Sequence, residues 1–492
     1  MQHSYDARDD IAFISHLSPY LKNEKYLRVD GKPLIMVWRP TLLPDARATV
    51  QRWRDWCLEN GIGPIHVCCS QAYERLDPAE HGMDSAYQNP PSDTRWIEPN
   101  IDRFAGPVDW LNTKFSGRLF DYRSLVRRAR GFVPPDYILF RGVCPSWDNE
   151  ARRPGRGMVL VGANPQRYLE YLETVLDQTL RDVPDPERRM VFINAWNEWG
   201  EGAHLEPDRR FGFGDLEATK MATLRSALRH CKIDEPERLA VVIHAYHIDL
   251  LEECLGWLND LTIPHDVFVT TAHDRRPMVE AFIARQGFPA TVISAENRGR
   301  DVAPFLQVLQ SLDFRQYGKI LKLHLKGSTE GGHGSLWRRG LFDALAHEAS
   351  LKQALGLFES HAEVGILGPS AFLLSMRPFL GRNEQAVRRL AERMGVFDAD
   401  PDKDTFFAGT MFLARTKALL PLGALGLLPD DFEPEQGQSN GTLAHAIERA
   451  ITYSTKAAGL EVAAFDVTDR GLIFEGRPDF PYVTTSVRGA FA

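Results

Sequence analysis

The 492 residues exceed a single ordinary domain and leave ample chain to bury a sizeable core, which sets aside disordered and fibrous classes. Hydrophobic residues make up 43% and charged residues 25%, and no apolar run reaches the roughly 18 residues that a membrane-spanning helix requires. A net charge of −8 argues against binding to a phosphate backbone, so nucleic acid is not an expected partner.

In chain order, the start MQHSYDARDD has no basic or apolar leader pattern, which leads us to expect a cytoplasmic chain. Short apolar runs at 33–38 (PLIMVW), 64–70 (PIHVCCS), 137–144 (YILFRGVC) and 190–196 (MVFINAW) are expected as buried parallel strands. Between them, ATVQRWRDWCLEN and PQRYLEYLETVLDQTL carry apolar residues at helical spacing. This alternation predicts a (β/α) barrel-like unit with its chemistry at the strand C-termini. The six cysteines form no CxxC pair and are expected mostly as small buried side chains; Cys68 and Cys69 fall in a strand run.

The fourth run leads directly into FINAWNEWGEGAHLEPD, 192–208. Glu198 and Glu201 are three apart, so a helical turn after the strand would bring both carboxylates together as an acid and a base. Trp196 and Trp199 would give a stacking platform, and Asn197 and His204 hydrogen bonds to hydroxyls. Alternatively, the segment is a solvated loop.

A charged stretch with Pro236, HCKIDEPER at 230–238, marks the expected boundary between a first domain, 1–232, and a second, 238–492. Beyond it the pattern is LAVVIHAY, LLEECLGWLNDL, DVFVTT, PMVEAFIARQG, ATVISAE, VAPFLQVLQSL, KILKLHL, VGILGPS, FFAGTMFLAR and the late helix TLAHAIERAITYSTKA, which predicts a doubly wound α/β sheet. In ENRGRDVAPF, Asn297 and Gly299 are expected in a tight turn whose helix start can face a diphosphate. Arg300 would add a charged donor, and Asp301 would hold a hydroxyl or cap the helix. In KILKLHLKGSTEGGHGSLWRR, alternation puts Lys322, His324 and Lys326 on one face, with Arg338 and Arg339 nearby, as an anion site. Gly331, Gly332 and Gly334 suggest a loop that closes over a donor. The acidic run DADPDKDT lacks the glycine and final glutamate of a calcium loop, so it is expected as a solvated loop. Candidate bases for an acceptor proton are Glu433, Glu435 and Glu448, with Glu435 preferred; His445, Glu448 and Arg449 also serve as structural partners on the late helix.

The motifs YLRVDGKPLIMVWRP, HGMDSAYQNPP, FDYRSLV, PSWDNEARR and NEWGEG resemble those of the glycoside hydrolase family 99-like, or WbsX, domains over about residues 1–225. The family's barrel opens with strands and an aromatic, asparagine-rich motif that has no counterpart before residue 33, so an incomplete TIM barrel is expected: either the true start lies upstream, or this half is a remnant or pairs with another chain that completes it. The resemblance implies Glu201 as acid and Glu198 as base, with Trp147 and Asp148 of PSWDNEARR joining the glycan-binding residues. The motifs VVIHAYHIDLLEE, ENRGRDVAPFL, ILKLHLKGS, FFAGTMFLAR and GTLAHAIERA resemble the rhamnan synthesis protein F family over 238 to about 475. That resemblance implies a Rossmann-like A-type glycosyltransferase. It would move a sugar, rhamnose in the family's case, from a nucleoside diphosphate such as dTDP to a growing bacterial surface polysaccharide. The acceptor could be lipid-linked and the enzyme peripheral at the inner membrane face. KLHLKG in place of an acidic DxD favours a metal-independent reaction with no cofactor. The competing expectations are a hydrolase or transglycosidase at Glu198 and Glu201, or a glycan-binding scaffold without chemistry.

Overall fold

A computed structural model describes residues 5–72, 76–95, 101–110, 112–325, 342, 344–438, 440–466 and 471–478. The chain forms two compact units, 1–226 and 227–492, each with its own core. Among the described residues, no helix is long and apolar enough to cross a membrane.

In the first unit, α1 (Ala7–Leu21) opens with a capping box between Asp6 and Asp9. Next come β1 (Arg28–Val29), β2 (Lys32–Val37), α2 (Ala46–Glu59), β3 (His66–Gln71), β4 (Ser85–Gln88), β5 (Arg118–Asp121), α3 (Arg123–Arg130), β6 (Leu139–Val143), β7 (Met158–Val161), α4 (Pro165–Asp182) and β8 (Val191–Ile193). β9 (Asn197–Glu198), β10 (Ala203–His204) and α5 (Gly214–His230) complete the series. Strands β2, β3, β4, β6 and β8 lie side by side in chain order and in parallel, with β1 antiparallel at one edge. This is the half-barrel order that repeated β/α units produce. The four predicted runs supply β2, β3, β6 and β8. The sheet's remaining parallel strand, β4, was not expected, because SAYQ is short and half polar. The separate pair of β5 and β7 was not expected either. Ile35, Val50, Trp53, Val67 and Cys69 pack α1 and α2 onto the sheet. All six cysteines are free; only Cys231 is exposed.

The second unit continues with β11 (Leu239–Ala245), α6 (Asp249–Asn259), β12 (His265–Ala272), α7 (Arg276–Gln286), β13 (Thr291–Ala295), α8 (Val302–Ser311), β14 (Lys319–Leu325), α9 (Glu348–Ser360), β15 (Val364–Pro369), β16 (Leu373–Ser375), α10 (Glu384–Arg393), β17 (Thr405–Phe407), β18 (Phe412–Arg415), α11 (Thr416–Ala424), α12 (Leu443–Ala457), β19 (Glu461–Phe465) and β20 (Leu472–Ile473). The eight-stranded sheet runs β13-β12-β11-β14-β18-β15-β19-β20. β13, β12, β11 and β14 are parallel, and the order of strands reverses between β11 and β14. β18 is antiparallel to both its neighbours, so the sheet is mixed. FFAGTMFLAR, read as one strand, is two: β17 pairs with β16 outside the main sheet, and a turn at Gly409 and Thr410 leads into β18. The acidic run is not simply solvated: Asp404 is buried and bonded to Lys456, while Arg377 holds Asp402 at 2.7 Å.

Candidate functional site

Past β8 the chain turns through the 3-10 segment Trp199–Glu201 and returns as β10 against β9. The turn closes on Gly202 at φ 59°, where a Cβ would lie 2.8 Å from the Asp148 nitrogen; the Asp148 N–H in turn donates to the Glu201 carbonyl at 2.8 Å. The expected meeting of Glu198 and Glu201 occurs, but Arg152 stands between them. Its Nη2 lies 2.5 Å from Glu198 Oε1 and its Nη1 2.9 Å from Glu201 Oε1. Burial pushes the Glu201 carboxyl above its ordinary value, Arg152 opposes this, and Glu198 adds to the rise. Trp199 stacks on His204 with ring centroids 3.8 Å apart and donates from Nε1 to Glu206, whereas Trp196 and Asn197 are exposed. Trp147 is buried, and Asp148 is exposed beside the turn.

In the second unit the C-terminal ends of β11 and β14 meet, with His244 opposite His324 in register. Lys322 is buried, and its Nζ lies 2.5 Å from Asp301 Oδ2 and 3.0 Å from both the carbonyl and the hydroxyl of Thr410. The expected role of Asp301 as a helix cap is therefore corrected: it begins α8, yet its side chain turns to Lys322 and accepts from the Thr410 hydroxyl. Lys322 and His324, expected on one face as an anion site, are both buried. β14 is interior to the sheet, and His324 Nε2 lies 2.5 Å from the Gly409 carbonyl. Burial opposes ionisation of Asp301, but Lys322 and His324, with hydrogen bonds from Lys322 and Thr410, hold its carboxyl far below the usual range. Burial pushes His244 down to about 4, with Lys322 and His324 adding to the fall and Asp301 opposing it.

Arg300 and Thr410 are both left-handed, at φ 55° and 52°, an arrangement that stores strain and concentrates at working sites. Arg300 donates to the Gln438 carbonyl and lies 3.5 Å from Glu435, which is exposed. Gly299 does form the expected turn, at φ 65°, but Phe432 and Ala303 fill the space above it; Asn297 is exposed. Glu433 receives the Leu443 N–H at the start of α12. Glu448 accepts the Gly409 N–H at 2.9 Å and pairs with Arg449, while His445 faces Thr442, so these three are structural partners of the turn and helix. Lys326, Arg338, Arg339 and the glycine run 331–334 lie outside the described residues. Arg152, His244 and Thr410 were missed as site residues. All three lie inside the quoted motifs PSWDNEARR, VVIHAYHIDLLEE and FFAGTMFLAR, and motif membership is the signal that could have found them.

Two family models match the chain, one after the other. Residues 1–219 match the family described as Glycosyltransferase WbsX, and residues 218–460 match that described as Rhamnan synthesis protein F, so the chain carries these two segments in that order. Among individual proteins, it is 40% identical over 465 residues to the uncharacterized protein WxcX of Xanthomonas campestris pv. campestris, in two strains. That match covers 94% of this chain, and the chain spans 66% of the length of these relatives. Among solved structures, S. aureus TarS 1–349 is 14% identical over 44% of this chain and 55% of that chain, with a TM-score of 0.25.

Proposed function

We propose that the chain is a polysaccharide glycosyltransferase whose transfer site lies in the second unit, at the C-terminal ends of β11 and β14. The observation that carries this is the reversal of strand order between β11 and β14, with Asp301, Lys322, His324 and Thr410 gathered beside it. Open α/β sheets with this reversal bind their ligands in the crevice outside the strand C-termini, and the same order supports reading the unit as Rossmann-like. The family matches support glycan synthesis. A nucleoside-diphosphate sugar, with rhamnose as its sugar, is the donor we infer.

In this reading Lys322 does not itself grip the diphosphate. It keeps Asp301 ionised and aimed, so that the carboxylate accepts from donor hydroxyls while Arg300 faces the leaving phosphates. The acceptor oxygen attacks the anomeric carbon, the bond to the diphosphate breaks with its electron pair leaving on phosphate, and the acceptor proton passes to Glu435. Cations where other transferases hold acidic metal ligands support a metal-independent reaction, on the cytoplasmic side where nucleotide sugars are made. In the first unit, the rise in the Glu201 carboxyl favours a second reading, acid-base work on a glycosidic bond, whereas the Arg152 clamp on both glutamates favours holding a glycan.

The test is thermal unfolding of the whole chain with dTDP, UDP and GDP and their sugars, with and without EDTA. We expect one diphosphate to raise the midpoint, the rise to survive EDTA, and Arg300→Ala to abolish it. A folded chain that shifts with none of them would sink the proposal.

A further inference from the structure

The proposed reaction gives His244 no role. In the parallel ladder this residue stands opposite Thr270 of β12 on one side and His324 of β14 on the other. Its half-buried ring therefore shares the sheet face from which Lys322 reaches Asp301 at the start of α8. The ring is fixed through one nitrogen. Nδ1 lies 3.0 Å from the Thr270 hydroxyl oxygen, and that hydroxyl directs its own proton to the Ile243 carbonyl 3.4 Å away, so Nδ1 carries the ring proton and donates it. Nε2 is left as a lone-pair acceptor, and no described residue donates to it. A second acceptor beside it is open as well. Lys322 and Thr410 both bind Oδ2 of Asp301, and no described residue donates to Oδ1. Burial holds the His244 imidazole down at about 4, with His324 and Lys322 adding to the fall and Asp301 opposing it, so at neutral pH the ring is uncharged and Nε2 stays an acceptor.

We propose that His244 is a specificity-determining residue of the transfer site, with its Nε2 and Asp301 Oδ1 together taking a pair of neighbouring hydroxyls from the sugar nucleotide. This rests on the reading of the second unit as a nucleotide-sugar transferase. Hydroxyls fit because each brings a proton to one open acceptor. A phosphate oxygen brings none, and Lys322 spends its three N–H groups on Asp301 and on the carbonyl and hydroxyl of Thr410, so it has none left for an anion there. A divalent cation could use the same two atoms, but Lys322 Nζ lies 2.5 Å from the other oxygen of that carboxylate and repels it. The diphosphate accordingly goes to Arg300 and the hydroxyls to His244 and Asp301. Two parts of a nucleotide sugar present adjacent hydroxyls, the ribose and the transferred sugar, and the recognition chemistry is the same for either.

Isothermal titration calorimetry on the whole chain tests this, with UDP, GDP, their deoxyribose counterparts dUDP and dGDP, and UDP-glucose, GDP-mannose and dTDP-L-rhamnose as ligands. His244→Leu removes the acceptor and should weaken the ligand that carries the hydroxyls about tenfold, whereas His244→Gln, whose Oε1 can replace Nε2, should stay within about threefold of the parent. Parent-like thermal unfolding shows that each variant is folded. A loss with UDP or GDP that is absent with the deoxyribose compound assigns the ribose. A loss with a nucleotide sugar that is absent with its free diphosphate assigns the transferred sugar, and either result supports the proposal. Parent affinity of His244→Leu for every ligand overturns it, and so does a loss that His244→Gln shares in full. Should His244→Leu not fold, the parent chain still decides: equal binding of UDP and dUDP and of GDP and dGDP, with nucleotide sugars no tighter than their diphosphates, overturns the proposal. A parent chain that binds none of these ligands sinks the transferase reading itself, whereas binding that the variants leave unchanged sinks only the role of His244.

Discussion

At the scale of single residues, the Lys322–Asp301 pair dominates the second unit. Both ions lie out of water, so removing one leaves the other uncompensated, at a cost of about 3–5 kcal/mol, whereas replacing both by apolar residues of similar size costs far less. Asp301→Asn should therefore destabilise strongly and Lys322→Met with Asp301→Leu should recover much of the loss. Urea unfolding of the three proteins checks it, and parent-like stability of Asp301→Asn would refute it. The sequence picked out both residues as ligand contacts; that they bind each other was illegible, because a separation of 21 positions across a helix gives no register between them. Two titrations should act in opposite directions. His244 is held down at about 4 from an ordinary 6.5, so the fold prefers it neutral: its stability is intact above about pH 6.5 and is lost as pH falls towards 4. Asp215, in the first turn of α5, is raised by burial from 3.8 to about 6, so stability is intact below about pH 4 and is lost as pH rises through 6, by up to about 3 kcal/mol. Asp215→Asn should accordingly raise the unfolding midpoint at pH 7.5 and not at pH 4, and His244→Gln should flatten the decline between pH 6.5 and 4. Thermal scans across that range would contradict both assignments if the variants tracked the parent.

At the scale of elements, what the sequence revealed depended on how each strand is buried. β2, β3 and β6 read clearly because parallel strands covered on both faces become continuous apolar runs. β4 escaped notice because its neighbours, not its own composition, make it a strand. FFAGTMFLAR misled for a related reason: both halves are apolar, and only the left-handed Thr410 beside Gly409 breaks the run. That break matters, since it brings the Thr410 hydroxyl to Asp301 and the Gly409 N–H to Glu448. The glutamate turn depends on a similar detail. Gly202→Ala would place a Cβ 2.8 Å from the Asp148 nitrogen in a left-handed conformation that itself costs roughly 1–2 kcal/mol. It should lower the stability of the first unit by at least that amount and break the Asp148–Glu201 link; denaturant unfolding that leaves the variant within error of the parent would show that the turn relaxes freely.

At the scale of the molecule, the proposed transfer has two candidate places, since each unit brings carboxylates to the C-terminal side of parallel strands. The charge arrangement separates them. In the first unit both glutamates are already paired with one arginine and partly exposed. In the second unit, Arg300 is held at the turn beside a carboxylate that Lys322 keeps ionised, an arrangement suited to developing negative charge on a leaving group. Once a donor is identified, Arg300→Ala should therefore slow transfer at least about tenfold, equivalent to roughly 1.4 kcal/mol of lost transition-state stabilisation. Glu198→Gln combined with Glu201→Gln should leave the rate within about twofold, because the proposed transfer site lies wholly in the second unit. Transfer rates for the two variants at saturating donor decide it. Loss of transfer in the glutamine pair, with Arg300→Ala active, would move the chemistry to the first unit and leave the second as the part that selects its substrate.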